Sequence, residues 1–511
     1  MVKKALLCAA ALSIAGVAHA DELSDLKALS EQLKQQNQQL MQRIDQLEQR
    51  QNRDEAQISA QAAAPAAPAG PSIPAPDGTL TWNGVTLYGG VDLGVAYQSA
   101  GNPLNNDYGP GLEYLVTKNN NKSLISLAPN AASYTSLGVK GTEEIVPGLN
   151  AIFNFQAQFN PTGGAIANGP QSQVDNNGVA AGKQTSNGDS TRAGQAFLES
   201  YVGLSSPTYG TLTIGRQNSL AIDGIINYDP MGGSNAFSPI GYSGTWGGGG
   251  DTQDTRLDGS IKYRLNVGPI RAAALVQVQG YGQGDNSSSY QFGVGTDYAG
   301  LSVDAIWGLV YDAETTSVLS AAQFATAGIP ANSLAATISD NEFYQFLIKY
   351  DMNQAQILPA TLYGGYEHIQ FDNPDHPVAA DTSGLGGYLL SVVSNTAYNR
   401  NKTLEMAWGG AKYSFTPAFS LTGAYYHEWQ NSFAIGDLGK SKFPLAGCGS
   451  ATFSAACSGD LNALSLFADY KFSKRFDVYA GAMWSEVDGG LANGFLHDTT
   501  IDPTVGARFR F

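Results

Sequence analysis

The sequence predicts an all-β transmembrane protein: a 16-stranded antiparallel β-barrel, preceded by an α-helical coiled-coil segment. Three observations carry that expectation. From Trp82 onward apolar and polar residues alternate with a period of two, the mark of strands with one wet face. The links between those strands alternate between short turns and long Gly-, Asn- and Ser-rich loops. Beyond residue 20 no stretch approaches the roughly 18 apolar residues that a spanning helix needs.

Residues 1–20 read as a signal peptide. Lys3 and Lys4 open it, "ALLCAAALSIAGVA" is its apolar run, and Ala18-His19-Ala20 places small residues about a cleavage point. The run is too short to span a bilayer. Residues 21–59 contain neither Gly nor Pro and predict a helix. Leu26, Leu33, Leu40 and Leu47 recur every seven residues, with Asn37 and Ile44 at the second core position of the heptad. In this register Arg43 meets Glu48 of a parallel neighbour, and Arg50 meets Glu55. A single helix cannot bury such a seam, so it predicts self-association. Residues 60–81, rich in Ala and Pro, cannot continue the helix and form a semi-rigid linker.

The barrel is expected over 82–511. In "VTLYGGVDLGVAY" Val85, Leu87, Val91, Leu93, Val95 and Tyr97 point one way, while Thr86, Tyr88, Gly90, Asp92, Gly94 and Ala96 point the other. In "LNAIFNFQAQF" Ala151, Phe153, Phe155 and Ala157 oppose Ile152, Asn154, Gln156 and Gln158. Sixteen such segments are expected near 83–98, 132–143, 149–160, 194–205, 211–217, 255–265, 268–281 and 288–298, then 301–312, 341–351, 359–371, 402–415, 418–430, 460–472, 476–486 and 501–511.

A water-soluble sandwich would bury the apolar faces against each other. It has no reason, however, to place a long loop on every second connection only. A membrane barrel turns those faces to lipid and must close, because lipid cannot satisfy an open strand edge. Tyr and Phe near strand ends, as in "AKYSF", "DYKF" and "RFRF", fit the aromatic girdles of such barrels. The chain also ends on an in-register strand, "TVGARFRF", as a closing strand requires.

Composition narrows the functions. Charged residues make up 14 %, against a usual share of about 25 %, and the net charge is −16. That balance argues against nucleic acid, which needs clustered Lys and Arg. Outside the signal the histidines are His368, His376, His427 and His497, with no H-E-x-x-H or G-x-S-x-G pattern. "TWGGGGD" lacks the Lys-Ser/Thr of a phosphate loop. No enzyme activity, metal or cofactor is expected. Cys448 and Cys457, nine positions apart in a Gly/Ser-rich loop, predict a disulfide.

The segments "SLGVKGTEEIVPGLNAIFNFQAQF", "AFLESYVGLSSPTYGTLTIGRQ", "RLDGSIKYR", "DYKFSKRFDVYAGAMW" and the terminal "VGARFRF" resemble, in order, the general porins of Gram-negative outer membranes. The resemblance covers residues 82 to 511. It implies a homotrimer of 16-stranded barrels in contact with outer-membrane lipid and lipopolysaccharide. It also implies that Phe511 is read by the barrel-assembly machinery. Porins of this family fold their third long loop into the lumen, where its acids face basic residues of the wall. Here that loop runs from about Asn218 to Asp254, with Asp223, Asp229, Asp251 and Asp254 as its acids. The basic wall set is Lys140, Arg216, Arg256, Lys262, Arg271 and Arg508, with Arg216 on the apolar parity of its strand.

The function expected is a passive, water-filled channel for small hydrophilic solutes or ions. The alternative is a structural barrel that tethers the envelope through its periplasmic coiled coil, with peptidoglycan as a partner. The acidic total points to a weak cation preference.

Overall fold

The computed structural model describes residues 80–511 except 108–121, 165, 167, 187–196, 242–255, 279–288, 327, 434–456 and 493–495, together with five positions between 31 and 42. Those five, Glu31, Lys34, Gln35, Gln38 and Gln42, are helical and exposed. The expected seam residues Leu26, Leu33, Asn37, Leu40, Ile44 and Leu47 lie outside the described residues, as do residues 1–20, expected as a signal peptide, and nearly all of the expected linker over 60–81.

Sixteen described strands form the barrel. They are β1 Val85–Gln98, β2 Ser136–Val146, β3 Leu149–Gln158, β4 Phe197–Ser206, β5 Gly210–Asn218, β6 Arg256–Val267, β7 Ile270–Gln277 and β8 Ser289–Tyr298. Then follow β9 Leu301–Ser317, β10 Ser333–Asp351, β11 Ala360–Asp372, β12 Lys402–Ser414, β13 Phe419–Gln430, β14 Gly459–Lys471, β15 Phe476–Gly489 and β16 Thr499–Arg510. Each pairs antiparallel with its sequence neighbour, and β16 returns to β1 through Gly90↔Arg510 to Ala96↔Thr504. The ring therefore has no open edge, the condition lipid imposes. Phe511 extends the seam: its N–H donates to the Gly89 carbonyl at 3.0 Å, and the Gly89 N–H donates to its carbonyl at 3.1 Å.

The period-two reading sets the direction of the side chains. Val91, Leu93, Val95 and Tyr97 are exposed on the outer surface, whereas Asp92, Ala96 and Gln98 are buried inside. Two aromatic belts bound the outer face. Tyr413, Phe415 and Phe419 touch in sequence at 4.8 and 5.5 Å beside the short turns, as do Tyr470, Phe472 and Phe476 at 4.9 and 5.7 Å. Toward the long loops stand Phe292 with Trp307, Tyr344 with His368, and His427 with Trp429. Rings at both levels fit a lipid slab between two wet interfaces.

Three differences from the sequence expectation have physical causes. The second strand starts at Ser136 rather than 132, because a separate strand, Leu124–Pro129, takes over the upper half of β1. Between them the chain bends inward at Asn130, and Asp92 holds the bend by accepting from the Ala132 and Ser133 N–H groups at 2.9 and 2.6 Å. Secondly, β9 and β10 are 17 and 19 residues long, far beyond a spanning length of about 9–11. The upper end of β10 pairs in parallel with Leu389–Ser394, around a small apolar cluster of Leu334, Ala336, Ile338 and Leu390.

Thirdly, the inner face is not polar throughout. Phe343, Leu347, Ile369, Met406, Trp408, Leu461 and Met483 point inward and are buried. The cover over this apolar wall comes from the segment that follows β5.

The seam is also held by charge. Arg508 on β16 donates to Asp477 at 2.6 Å and to Asp469 at 2.8 Å, and Arg510 pairs with Asp477. The Tyr479 hydroxyl donates to Asp92 at 2.6 Å. Removing one partner of a buried pair costs about 3–5 kcal/mol, because the remaining charge loses its counter-charge. Asp477→Ala, which takes one of two carboxylates from Arg508 and the partner of Arg510, is therefore expected to lower the temperature at which the folded barrel melts on a semi-native gel. An unshifted melting temperature would refute this role for Asp477.

Candidate functional site

The segment after β5 folds into the lumen. Ser219 caps it by accepting from the Ile222 N–H at 3.1 Å, and a helix follows over Leu220–Tyr228. Leu220, Ala221, Ile222 and Ile225 are buried against the apolar inner wall. The wall then supplies specific anchors. The Tyr228 hydroxyl donates to Asp304 on β9 at 2.6 Å, and Trp408 on β12 donates to the Tyr228 carbonyl at 3.2 Å. The Tyr426 hydroxyl on β13 donates to Asp229 at 2.5 Å. Phe237 inserts beside Phe467 on β14 and Tyr479 on β15, with ring centroids 4.9 and 6.1 Å away. Past that point the Ala236 N–H donates to the Ala131 carbonyl at 2.9 Å and Asn235 donates to the Asn130 carbonyl at 3.0 Å. The loop thus runs round the inner wall from β7 to the bend after β1. Among the described residues it leaves open the side lined by β2–β6.

Two neighbouring spaces mark that opening. The upper one, about 270 Å³, lies between Ile222, Ile226 and Gly232–Asn235 of the loop and Tyr134, Gln156, Glu199 and Arg256 opposite. The lower one, about 80 Å³, is lined by Glu199, Tyr201, Thr213, Asp223, Lys262 and Arg264. Glu199 borders both.

The acids expected on the loop play unequal parts. Asp223 lines the passage but does not stand across it from a basic wall: Lys262 approaches it at 3.1 Å, and Arg264 also pairs with it. Asp229 does not face the passage at all. It is 2 % exposed and also accepts from the Met231 and Gly233 N–H groups at 3.2 and 2.7 Å. Burial pushes its carboxyl above the ordinary range, against the pull of the Tyr426 hydroxyl and those amides. It is a loop anchor. Asp251 and Asp254 lie outside the described residues.

The basic set divides as well. Lys140 points inward, with its ammonium 5.1 Å from the centre of the Tyr88 ring. Lys262 lines the lower space, and Arg256 lines the upper one over the Tyr134 ring. Arg271 binds Asp304 at 3.0 Å and the Tyr228 hydroxyl at 3.1 Å, so it steadies the loop. Arg508 belongs to the seam. Arg216 is a correction: a bulge between Gly215 and Gln217 leaves it opposite Ser200 on the outward parity, where it donates to Asp258 at 2.6 Å. Cys457 is disulfide-bonded, and Cys448 lies outside the described residues.

Sequence reasoning missed Glu199, Arg264, Tyr88 and Asn154. All four sit on the polar parity of their strands, so parity alone would have found them; acids were sought only on the loop. Three of them form a continuous chain: Tyr88 donates to Asn154 at 2.5 Å, and Asn154 donates to Glu199 at 2.7 Å. The arrangement offers fixed charges and aromatic faces along a wet passage, with no nucleophile–base pair beside it among the described residues.

A family model described as Gram-negative porin matches residues 5–490. An outer membrane porin protein of Bordetella pertussis is 22 % identical over 446 residues, which is 84 % of this chain and 94 % of that protein. Among solved structures, the anion-selective porin from Comamonas acidovorans aligns with 17 % identity and a TM-score of 0.49, covering 84 % of this chain and 99 % of that one. The outer membrane channel DcaP of Acinetobacter baumannii aligns with 12 % identity and a TM-score of 0.44, covering 84 % and 97 %.

Proposed function

Since this chain belongs to the Gram-negative porin family, an outer-membrane channel is its function, and we propose that the passage beside β2–β6 is the constriction of that channel. The single observation that carries this reading is the inward loop. It fills the barrel along β7–β15 and leaves an opening lined by Glu199, Asp223, Arg256, Lys262 and Arg264, with Lys140 inward on β2 beside the Tyr88 ring. Fixed charges in a narrow aqueous path orient polar solutes and reject apolar ones.

Among the described residues this lining carries three cations against two carboxylates, and Lys140 beside it adds a fourth. The local balance therefore departs from the acidic total of the chain, and a weak anion preference replaces the cation preference expected from net charge. We further propose a homotrimer. Its support is a concave apolar groove of about 510 Å³ on the outward face, lined by Gly141, Ala151, Phe153, Gly203, Leu204 and Ile214, which a second barrel would fill better than lipid chains. The coiled coil expected over 21–59 would then self-associate as well, and the pairing of Cys448 with Cys457 would tie down one long loop.

Planar-bilayer recording tests the reading. Conductance steps in groups of three are expected, with a reversal potential in a KCl gradient displaced toward chloride. Stable insertion without conductance would instead support the tether, and reversal toward potassium would overturn the charge balance.

A further inference from the structure

Two charges in the passage stand apart from the ion pairs around them. Asp223 is neutralised in place by Lys262 and Arg264, and Arg271 and Arg508 are taken up by Asp297, Asp304, Asp469 and Asp477. Lys140 forms no ion pair with any described residue. It is exposed to the lumen and rests on the Tyr88 ring. Glu199 likewise forms no ion pair with a described residue; its contact is the Asn154 amide.

The register fixes their relation. Lys140 is opposite Asn154, and Glu199 is opposite Gln156 on the other edge of the same strand. They are thus two strand spacings across and two residues along, about 12 Å apart at their Cα atoms, on one inward face. Between them lie the Tyr88 phenol and the Asn154 amide, a neutral surface that both donates and accepts. One positive and one negative group are therefore presented side by side along the wall.

We propose that Lys140 and Glu199 form a bipolar station for small zwitterionic solutes, amino acids and dipeptides, with the carboxylate drawn to Lys140 and the ammonium to Glu199. This deepens the channel reading and rests on it. A singly charged ion gains at one group what it loses at the other, whereas a zwitterion of suitable length gains at both. Because neither charge has to be taken from an existing partner, the station costs no broken ion pair when a solute arrives.

Liposome swelling compares entry of glycylglycine with entry of ribose, a neutral solute of similar size. The glycylglycine-to-ribose ratio is expected to fall roughly two- to fivefold in Lys140→Met and in Glu199→Gln, the factor that a solvent-exposed ion pair supplies. The charge-exchanged double variant, Lys140→Glu with Glu199→Lys, should restore the ratio, and Lys140→Arg should keep it. Ribose entry reports that each variant is inserted and open. A ratio unchanged in both single variants, or no recovery in the exchanged pair, would overturn the station. Failure of the channel reading looks different: ribose would not enter through the wild-type protein.

Discussion

A chain shortened to end at Pro503 is expected to yield no folded barrel. The missing residues Thr504–Arg510 pair with Gly90–Ala96 of β1 and with Phe476–Gly481 of β15. Their loss opens two edges at once, and each backbone group left unsatisfied in hydrocarbon costs several kcal/mol. A handful of such groups exceeds the whole stability of an ordinary domain, about 5–15 kcal/mol. The cut also removes Arg508, leaving Asp469 and Asp477 buried without their counter-charge. The check is heat-modifiable migration on a gel after refolding into detergent. Any compact, heat-sensitive species from the shortened chain would refute the claim that β16 closes the ring.

Phe511→Ala separates two roles at the same end. Its backbone still exchanges both hydrogen bonds with Gly89, so refolding in detergent should proceed almost as for the wild type. If the ring is what the assembly machinery reads, the amount inserted in cells falls while refolding in the test tube does not.

The barrel is legible in the sequence because lipid enforces one simple rule. A strand facing hydrocarbon on one side and protein or water on the other must alternate, and it does so from Val85 to Phe511. The predicted spans of β3, β12, β13 and β14 differ from the observed ones by one or two residues. Legibility fails where a second constraint overrides the alternation. Phe343, Leu347, Ile369 and Met406 face inward although apolar, because the loop covers them. Only a tertiary contact explains that choice, so parity could not forecast it. Asp229 reads as a pore acid for the same reason: its letter is identical whether it meets water or the Tyr426 hydroxyl. Arg216 stays on the outward side that its apolar parity indicates, opposite Ser200; only the family's basic wall set placed it in the lumen. Glu199 was legible and overlooked.

Phe237→Ala is expected to open the channel while leaving the barrel intact. The ring is fully buried, edge-on to Phe467 at 4.9 Å and perpendicular to Tyr479 at 6.1 Å. Truncating a buried Phe to Ala costs about 3–5 kcal/mol, and here that loss falls on loop docking, since no strand pairing involves the residue. The wall leaves room for the ring: a Cβ on Gly481 would sit 2.6 Å from it and 2.4 Å from the Leu466 carbonyl of the neighbouring strand, so only glycine fits there. The anchors at Asp229 and Tyr228 lie closer to the root of the loop, and its far part from Gly232 to Ser238 keeps the hydrogen bonds of Asn235 and Ala236 to the bend after β1 but loses its apolar plug, so it should loosen. Single-channel conductance should rise and become noisy, and larger sugars should enter liposomes that the wild type excludes. The semi-native gel melting temperature should change far less than for Asp477→Ala, because the ladder and the seam charges are untouched. Unchanged conductance with an unchanged size limit would mean that the loop does not set the width of the passage, and the constriction would have to be sought elsewhere in the lumen.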